Sequence, residues 1–292
     1  MKKNECRIKF EIIVVCFNAG DKLRATLDSI YGQEYYNFRV IIKDGKSSDG
    51  SLDKLISEGY FQGRKQEITD IYSDSDKGIY DGMNEAVAHL WDDTRRGTDS
   101  HDRYVIFMNC GDGFYDKQTL GRVADFIDEN VDCEKKEPFI FYGNQYNSRT
   151  ETVVASAPSL NEFSLYRNVP CHQVCFYEDV LFEERGYDTG YRVRADYEHF
   201  LYCVYEKKAI TSYIDCIISS YEGGGFSETA ENKKKSEEEH IEITGHYMGD
   251  RAKKYRRIMI ISGAGIRTRL AESRHFSKAY NALKSMIYRK RK

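Results

Sequence analysis

Ser73-Asp74-Ser75-Asp76-Lys77-Gly78-Ile79-Tyr80-Asp81-Gly82-Met83-Asn84 gathers three carboxylates, two glycines and an amide into a turn that opens a helix predicted over Ile79–Leu90. The N–H groups of a helix start, ringed by polar side chains, suit an anionic ligand such as a nucleotide. An ordinary capped surface turn uses the same residues. Where the turn sits in the chain separates the two readings.

Upstream, residues 8–15 (Ile-Lys-Phe-Glu-Ile-Ile-Val-Val) read as a strand. Asp21–Tyr31 reads as an amphipathic helix with Leu23, Leu27 and Ile30 on one face. Phe38–Lys43 is a second strand, closed by the turn cluster Asp44-Gly45-Lys46-Ser47-Ser48-Asp49-Gly50, and a helix follows over Ser51–Ser57. A strand near Glu67–Tyr72 leads into the opening turn. Downstream, the strand Tyr104–Met108 ends in Asn109-Cys110-Gly111-Asp112-Gly113, before a helix over Asp116–Glu129. Strand, loop and helix alternate four times, which predicts an α/β fold with a Rossmann-like, mostly parallel central sheet flanked by helices. Asp44, the Asp74–Asp81 group and Asp112 then converge at the C-terminal ends of the strands, where open α/β sheets bind ligands.

Beyond residue 138 strands are expected at Phe139–Tyr142, Glu151–Ala155, Gln173–Tyr177 and Thr211–Ser220. Helices are expected at Asp179–Arg185 and Asp196–Lys207. Gly223–Gly225 reads as a hinge before a very polar helix over Asn232–Tyr247; such a hinge can serve as a lid or simply as a loop. The 292 residues accommodate one large domain with an appendage. The eight cysteines are scattered and several lie in apolar runs, the usage of reduced thiols in a cytoplasmic protein. Cys171-His172-Gln173-Val174-Cys175 has no second Cys/His pair at matching spacing. No apolar run reaches the roughly 18 residues of a membrane-spanning helix.

Five segments, in order, resemble the inverting family 2 glycosyltransferases with the GT-A fold, of the bacterial polysaccharide-assembly type. They are Val15-Cys16-Phe17-Asn18, Ile42 to Gly50, Asp76 to Asn84, Phe107-Met108-Asn109-Cys110-Gly111-Asp112, and Ala195-Asp196-Tyr197-Glu198. The resemblance runs from residue 8 to about 230. It implies a nucleotide-binding half (1–130) and an acceptor half (131–230); residues 231–292 match no motif of the family and read as a helical, basic extension.

The resemblance also implies roles. Asp44 accepts a hydrogen bond from the donor base, and the ribose and diphosphate pass Asn18 and the loop of Asp76, Asp81 and Asn84. Phe17, Ser47, Lys77, Gly78, Asn109, Cys110 and Gly111 complete the donor side. Asp112 occupies the family's acidic metal-binding motif and would hold Mg2+ or Mn2+ together with the diphosphate. Many members carry Asp-x-Asp-Asp there, whereas only the last carboxylate remains here. Direct displacement requires a base for the acceptor hydroxyl. Asp196 matches that position, with Glu198 the alternative base and helix capping the other use of Asp196. His172 and Gln173 would line the acceptor side, or His172 would be a core residue. Arg192 and Arg194 would meet the diphosphate, or be solvated.

The tail is a separate electrostatic object. Residues 251–292 hold 14 of the 44 Lys and Arg but only one acid, Glu272, so the first 250 residues carry a balance of −16. Tyr255–Ile266 and Leu270–Tyr288 mix these bases with apolar side chains, which suits an anionic membrane surface on the cytoplasmic side or packing on the domain or a second copy. The acidic body argues against nucleic acid. The function expected is sugar transfer from a nucleotide-sugar donor to a glycan or lipid-linked acceptor at the inner face of the plasma membrane. A sugar-phosphate nucleotidyltransferase and a non-catalytic nucleotide-binding scaffold are the alternatives. The first of these would want a Gly-rich loop with a basic residue after the first strand, which Cys16-Phe17-Asn18-Ala19-Gly20 lacks.

Overall fold

A computed structural model describes residues 8–91, 102–131, 137–222, 229–262 and 277–289. The Gly223–Gly225 hinge and residues 263–276 of the expected tail helices lie outside the described residues.

The first half alternates β1 (Ile8–Cys16), α1 (Asp21–Tyr31), β2 (Phe38–Asp44), α2 (Ser51–Ser57), α3 (Arg64–Glu67), β3 (Thr69–Ser73), α4 (Ile79–Ala88) and β4 (Asp102–Phe107). Strands β3, β2, β1 and β4 lie side by side in that order, all parallel. Nearly every residue of β1 and β2 is buried, because α4 and its neighbours cover both faces of a parallel sheet. Register pairs Cys16 with Asp44, and Asp44 with Ser73, so three strands finish in one row. The acidic loops leave from that row.

The second half continues the same nine-stranded sheet. It comprises β5 (Gly113–Phe114), α5 (Thr119–Asn130), β6 (Phe139–Asn147), β7 (Thr152–Val154), α6 (Glu162–Arg167), β8 (Cys175–Glu178), α7 (Ala195–Tyr205) and β9 (Ile210–Tyr221). Strand β8 enters antiparallel between β4 and β6, and β6 pairs parallel with β9. Six of the nine strands therefore run one way, and β5, β7 and β8 oppose them.

Two expected elements differ. The strand placed at Gln173–Tyr177 starts only at Cys175, because the Val174 N–H turns back onto the Cys171 carbonyl and makes His172–Val174 a 3-10 turn. The helix placed at Asp179–Arg185 is also one 3-10 turn, Asp179–Phe182, closed by Glu183 N–H on Val180.

After β9 come α8 (Ala230–Met248), α9 (Asp250–Ile261) and α10 (Ser277–Arg289). Helix α8 packs on α7, α9 on α6 and α10 on β7. Ile243, Met248 and Ala252 join the main core. The outer surface of α9 exposes Ile258, Ile260 and Ile261, and α10 exposes Leu283, Met286 and Ile287.

His199 of α7 is buried in an aromatic nest, stacked on Phe182 at 4.5 Å and flanked by Tyr187 at 5.1 Å. Burial, aided by the Arg185 charge, lowers its pKa to about 3. An unfolded chain takes up that proton near pH 6.5 and the folded chain does not. Stability is therefore full above about pH 6.5 and falls by about 1.4 kcal/mol per pH unit below it, down to about pH 3. His199→Phe is expected to remove this component, measured as a smaller loss of denaturation midpoint between pH 7 and pH 5. An unchanged pH response would acquit His199.

Candidate active site

The donor-side loops are stitched to one another before any ligand arrives. Asn18, in left-handed backbone at φ 48°, accepts through Oδ1 from the N–H groups of Ser48 (2.8 Å) and Asp49 (3.2 Å). Its own N–H donates to Ser47 Oγ at 2.8 Å, so the loop after β1 is bound to the loop after β2. Asp44 is 2% exposed and takes hydrogen bonds from the Ser47 hydroxyl and N–H, the Ser73 hydroxyl and the Cys16 thiol. Burial alone would raise its carboxyl; these donors outweigh it and hold the pKa below the ordinary range. Phe17 lies beside Asp44, 66% exposed, its ring in reach of Gly45.

Lys43 is buried near the end of β2, next to Asp44. Its ammonium reaches the carbonyls of Asp44 and Asp74 and the carboxylates of Glu85 (2.9 Å) and Asp76 (3.6 Å). Asp76 Oδ1 accepts from Gly78 N–H at 3.0 Å, and Asp81 accepts from Lys77 N–H at 2.8 Å, so these acids shape the turn into α4. A Cβ on Gly45 would come within 2.7 Å of Asp76 Oδ2, and one on Gly82 within 3.0 Å. Gly78, at φ 133° and ψ 175°, holds a conformation that only glycine adopts readily. Lys77 is exposed on this turn.

The loop after β4 is held by Thr26 of α1. Its hydroxyl donates to the Asp112 carbonyl at 2.7 Å and accepts from Gly111 N–H at 3.0 Å. Gly111 has φ 98°, with the Lys22 stem against it. Cys110 is half-buried on the same loop.

The His172–Val174 turn supplies the decisive geometry. Gln173 Nε2 donates to Asp112 Oδ2 at 2.7 Å, while His172 Nδ1 lies 3.2 Å from Asp196 Oδ2. Asn109 Nδ2 lies 2.9 Å from His172 Nε2. An amide N–H on Nε2 and a carboxylate on Nδ1 fit the tautomer with its proton on Nδ1. Two consecutive residues thus bridge the loop after β4 to the first turn of α7.

Asp196 also faces the Tyr80 hydroxyl at 3.0 Å; that single proton is shared with the Val193 carbonyl at 2.9 Å. Burial would raise its pKa, but His172, Tyr80 and the Tyr197 N–H together lower it, so the carboxylate stays ionised. Its side chain remains 24% exposed. Asp112 goes the other way: burial holds its carboxyl above the usual range despite Gln173, His172 and Lys22.

A family model for glycosyl transferase family 2 matches residues 11–177, more than half of the chain. This chain belongs to that family. It is 33% identical over 227 residues to a PGL/p-HBAD biosynthesis glycosyltransferase of Mycobacterium bovis, covering 77% of this chain and 81% of the relative. An amylovoran biosynthesis glycosyltransferase of Erwinia amylovora is 29% identical over 137 residues, 46% of this chain and 40% of its own. The fold matches S. aureus TarS 1-349, solved with UDP-GlcNAc, at TM-score 0.61 and 17% identity, over 85% of this chain and 70% of that one. It also matches the mannosyltransferase PcManGT of Pyrobaculum calidifontis, solved with GDP-Man and Mn2+, at TM-score 0.57 and 12% identity, over 94% and 84%. The protein is a glycosyltransferase with the GT-A-type sheet expected of it.

Four residues of the glycosyltransferase that the resemblance brought to the site pair with other parts of the chain. The Asn84 amide is paired at both ends with the Tyr187 backbone, at 2.7 and 2.8 Å, and straps α4 to the segment before α7. Glu198 is 5% exposed and forked by Arg185 at 2.8 and 3.1 Å, with the Tyr247 hydroxyl on the same oxygen. The Arg194 Nε donates to Ser236 Oγ and carbonyl, at 2.7 and 2.9 Å, and Arg192 pairs with Glu231. Conversely Tyr80, Lys43 and Thr26 had no role in the sequence reading. Only Lys43 left a signal there, a charge that follows the apolar run Val40-Ile41-Ile42 and precedes Asp44.

Proposed function

We propose that the enzyme transfers a sugar, with inversion, from a nucleotide-diphosphate sugar to a hydroxyl of a lipid-linked glycan acceptor in polysaccharide or glycolipid assembly. The observation that carries this reading is the His172–Gln173 turn, which joins Asp112, in the loop after β4, to Asp196, in the first turn of α7. On the donor side, Phe17 offers a ring face to the base, with Asp44 and Ser47 at its edge. Asn18 and the Asp76–Asp81 turn line the path of ribose and diphosphate. On the acceptor side, Asp196 takes the proton of the attacking hydroxyl, and His172 and Tyr80 hold its carboxylate in place.

Among the described residues no group of three His, Cys, Asp or Glu side chains could hold a metal ion. A donor-assisted site fits nonetheless. Asn109 Oδ1 is buried without a hydrogen-bond partner among the described residues, and Asp112 offers a carboxylate on the same loop. Hard Mg2+ or Mn2+ accepts such oxygens, with phosphate oxygens and water completing its shell. Bound there, the cation would offset the charge that builds on the departing diphosphate.

One surface favours a membrane-bound acceptor. Among the described residues no helix is long and apolar enough to cross a bilayer. Yet α9 sets Ile258, Ile260 and Ile261 beside the exposed Lys253, Lys254, Arg256 and Arg257, a surface suited to anionic headgroups.

The test begins with thermal shift against UDP-, GDP- and dTDP-sugars with Mn2+. One of them at 100 times its Kd is expected to add about 2.7 kcal/mol of stability. Release of the matching nucleoside diphosphate should depend on a glycan acceptor. Co-sedimentation with anionic vesicles, lost at high salt, is the second arm. If no nucleotide sugar shifts the protein, the donor reading falls; if no vesicle binds at low salt, the membrane reading falls alone.

A further inference from the structure

Helix α8 reads from sequence as a solvated polar rod, yet Glu239 at its centre is 1% exposed. Its carboxylate accepts three consecutive backbone N–H groups. Oε1 takes Arg192 at 2.8 Å, and Oε2 takes Val193 at 3.0 Å and Arg194 at 2.9 Å. Arg194 is the N-cap position of α7 and provides no side-chain cap of its own. These N–H groups precede and open the helix whose first turn carries Asp196, so a carboxylate from a distant helix does the work of a cap. One turn earlier, Ser236 receives the Arg194 guanidinium. The middle residue of the clasped triplet, Val193, turns its carbonyl to the Tyr80 hydroxyl that also meets Asp196.

We infer that Glu239 is a positioning residue for sugar transfer: from the C-terminal helix it fixes the backbone of residues 192–194, and with it the aim of Asp196. Donor binding does not run through this clasp. The residues that shape the donor loops lie in the loops after β1, β2 and β4 and in the β3–α4 turn, and the hydrogen bonds described for them above all end outside α8. The inference rests on Asp196 being the base.

Glu239→Gln keeps the size of the side chain but sets an amide NH2 against one of the three N–H donors, leaving that donor unmatched. In a transfer assay at saturating donor, kcat is expected to fall roughly 10- to 100-fold, the scale set by a base displaced by about 1 Å. The donor KM and the nucleotide-induced thermal shift should stay at wild-type values. Adding Glu239→Gln to Asp196→Asn should cost nothing further, because both changes act through one carboxylate. Glu239→Asp, which keeps the charge but withdraws it by one methylene, should show the same split if the Gln variant folds poorly.

Wild-type kinetics in both Glu239 variants would overturn the inference. So would a loss of donor affinity in step with kcat, or of folding in both variants, since α8 would then be general scaffolding. So would additivity in the double variant. Failure of the base reading is recognised separately, by undiminished transfer in the single Asp196→Asn variant.

Discussion

Replacing Asp196 by Asn is expected to lower kcat by roughly 10²- to 10⁴-fold, the range of a positioned general base, with the donor KM nearly unchanged. The amide is isosteric, so α7 keeps its first turn, and the Asn oxygen can still accept from Tyr80 or His172. What disappears is the acceptor for the proton of the attacking hydroxyl. The low pKa of Asp196 sharpens the expectation, because a carboxylate ionised throughout the neutral range has no protonated fraction to lose. Steady-state kinetics with a glycan acceptor, and nucleotide binding measured in parallel, check it. Transfer at the wild-type rate would remove Asp196 from proton transfer.

Asp112→Asn is the second large effect. Gln173 can still donate to the amide oxygen, so the turn that joins the two loops survives. The carboxylate charge is lost, and it is the sole acid of Asn109-Cys110-Gly111-Asp112. Loss of a cation that stabilises the leaving diphosphate removes several kcal/mol, so kcat/KM should drop roughly 10²- to 10³-fold. The rate should also stop responding to added Mn2+. Titration of Mn2+ against rate in both proteins is the measurement; a variant with the wild-type metal response would show that Asp112 is no ligand.

Much of this site is legible along the chain because parallel α/β sheets convert order into place. β1, β2 and β4 announce themselves by apolar runs, and Asp44, Asp76 and Asp112 lie where β2, β3 and β4 give way to their loops. Partner choice is what the chain conceals. Nothing near Asn84 says that its amide is spent on the Tyr187 backbone, and nothing near Glu198 announces Arg185 and Tyr247. Arg194 reads as a phosphate ligand by type, yet it is held by Ser236, 42 residues on. Glu239 is hidden for the same reason: in a helix of Lys and Glu, the one acid that turns inward is chosen by packing against α7. His172 and Gln173 were expected on a strand, and the 3-10 turn they form lets neighbours in sequence face different loops.

The antiparallel entry of β8 between β4 and β6 has a consequence for how such an enzyme can diverge. The strands of both halves form a single hydrogen-bonded sheet, with no seam among the described residues along which one half could swing against the other. A lineage adapting to a new acceptor cannot re-aim its halves as a hinged enzyme can. It must instead exchange side chains on the rim around a frame that stays fixed.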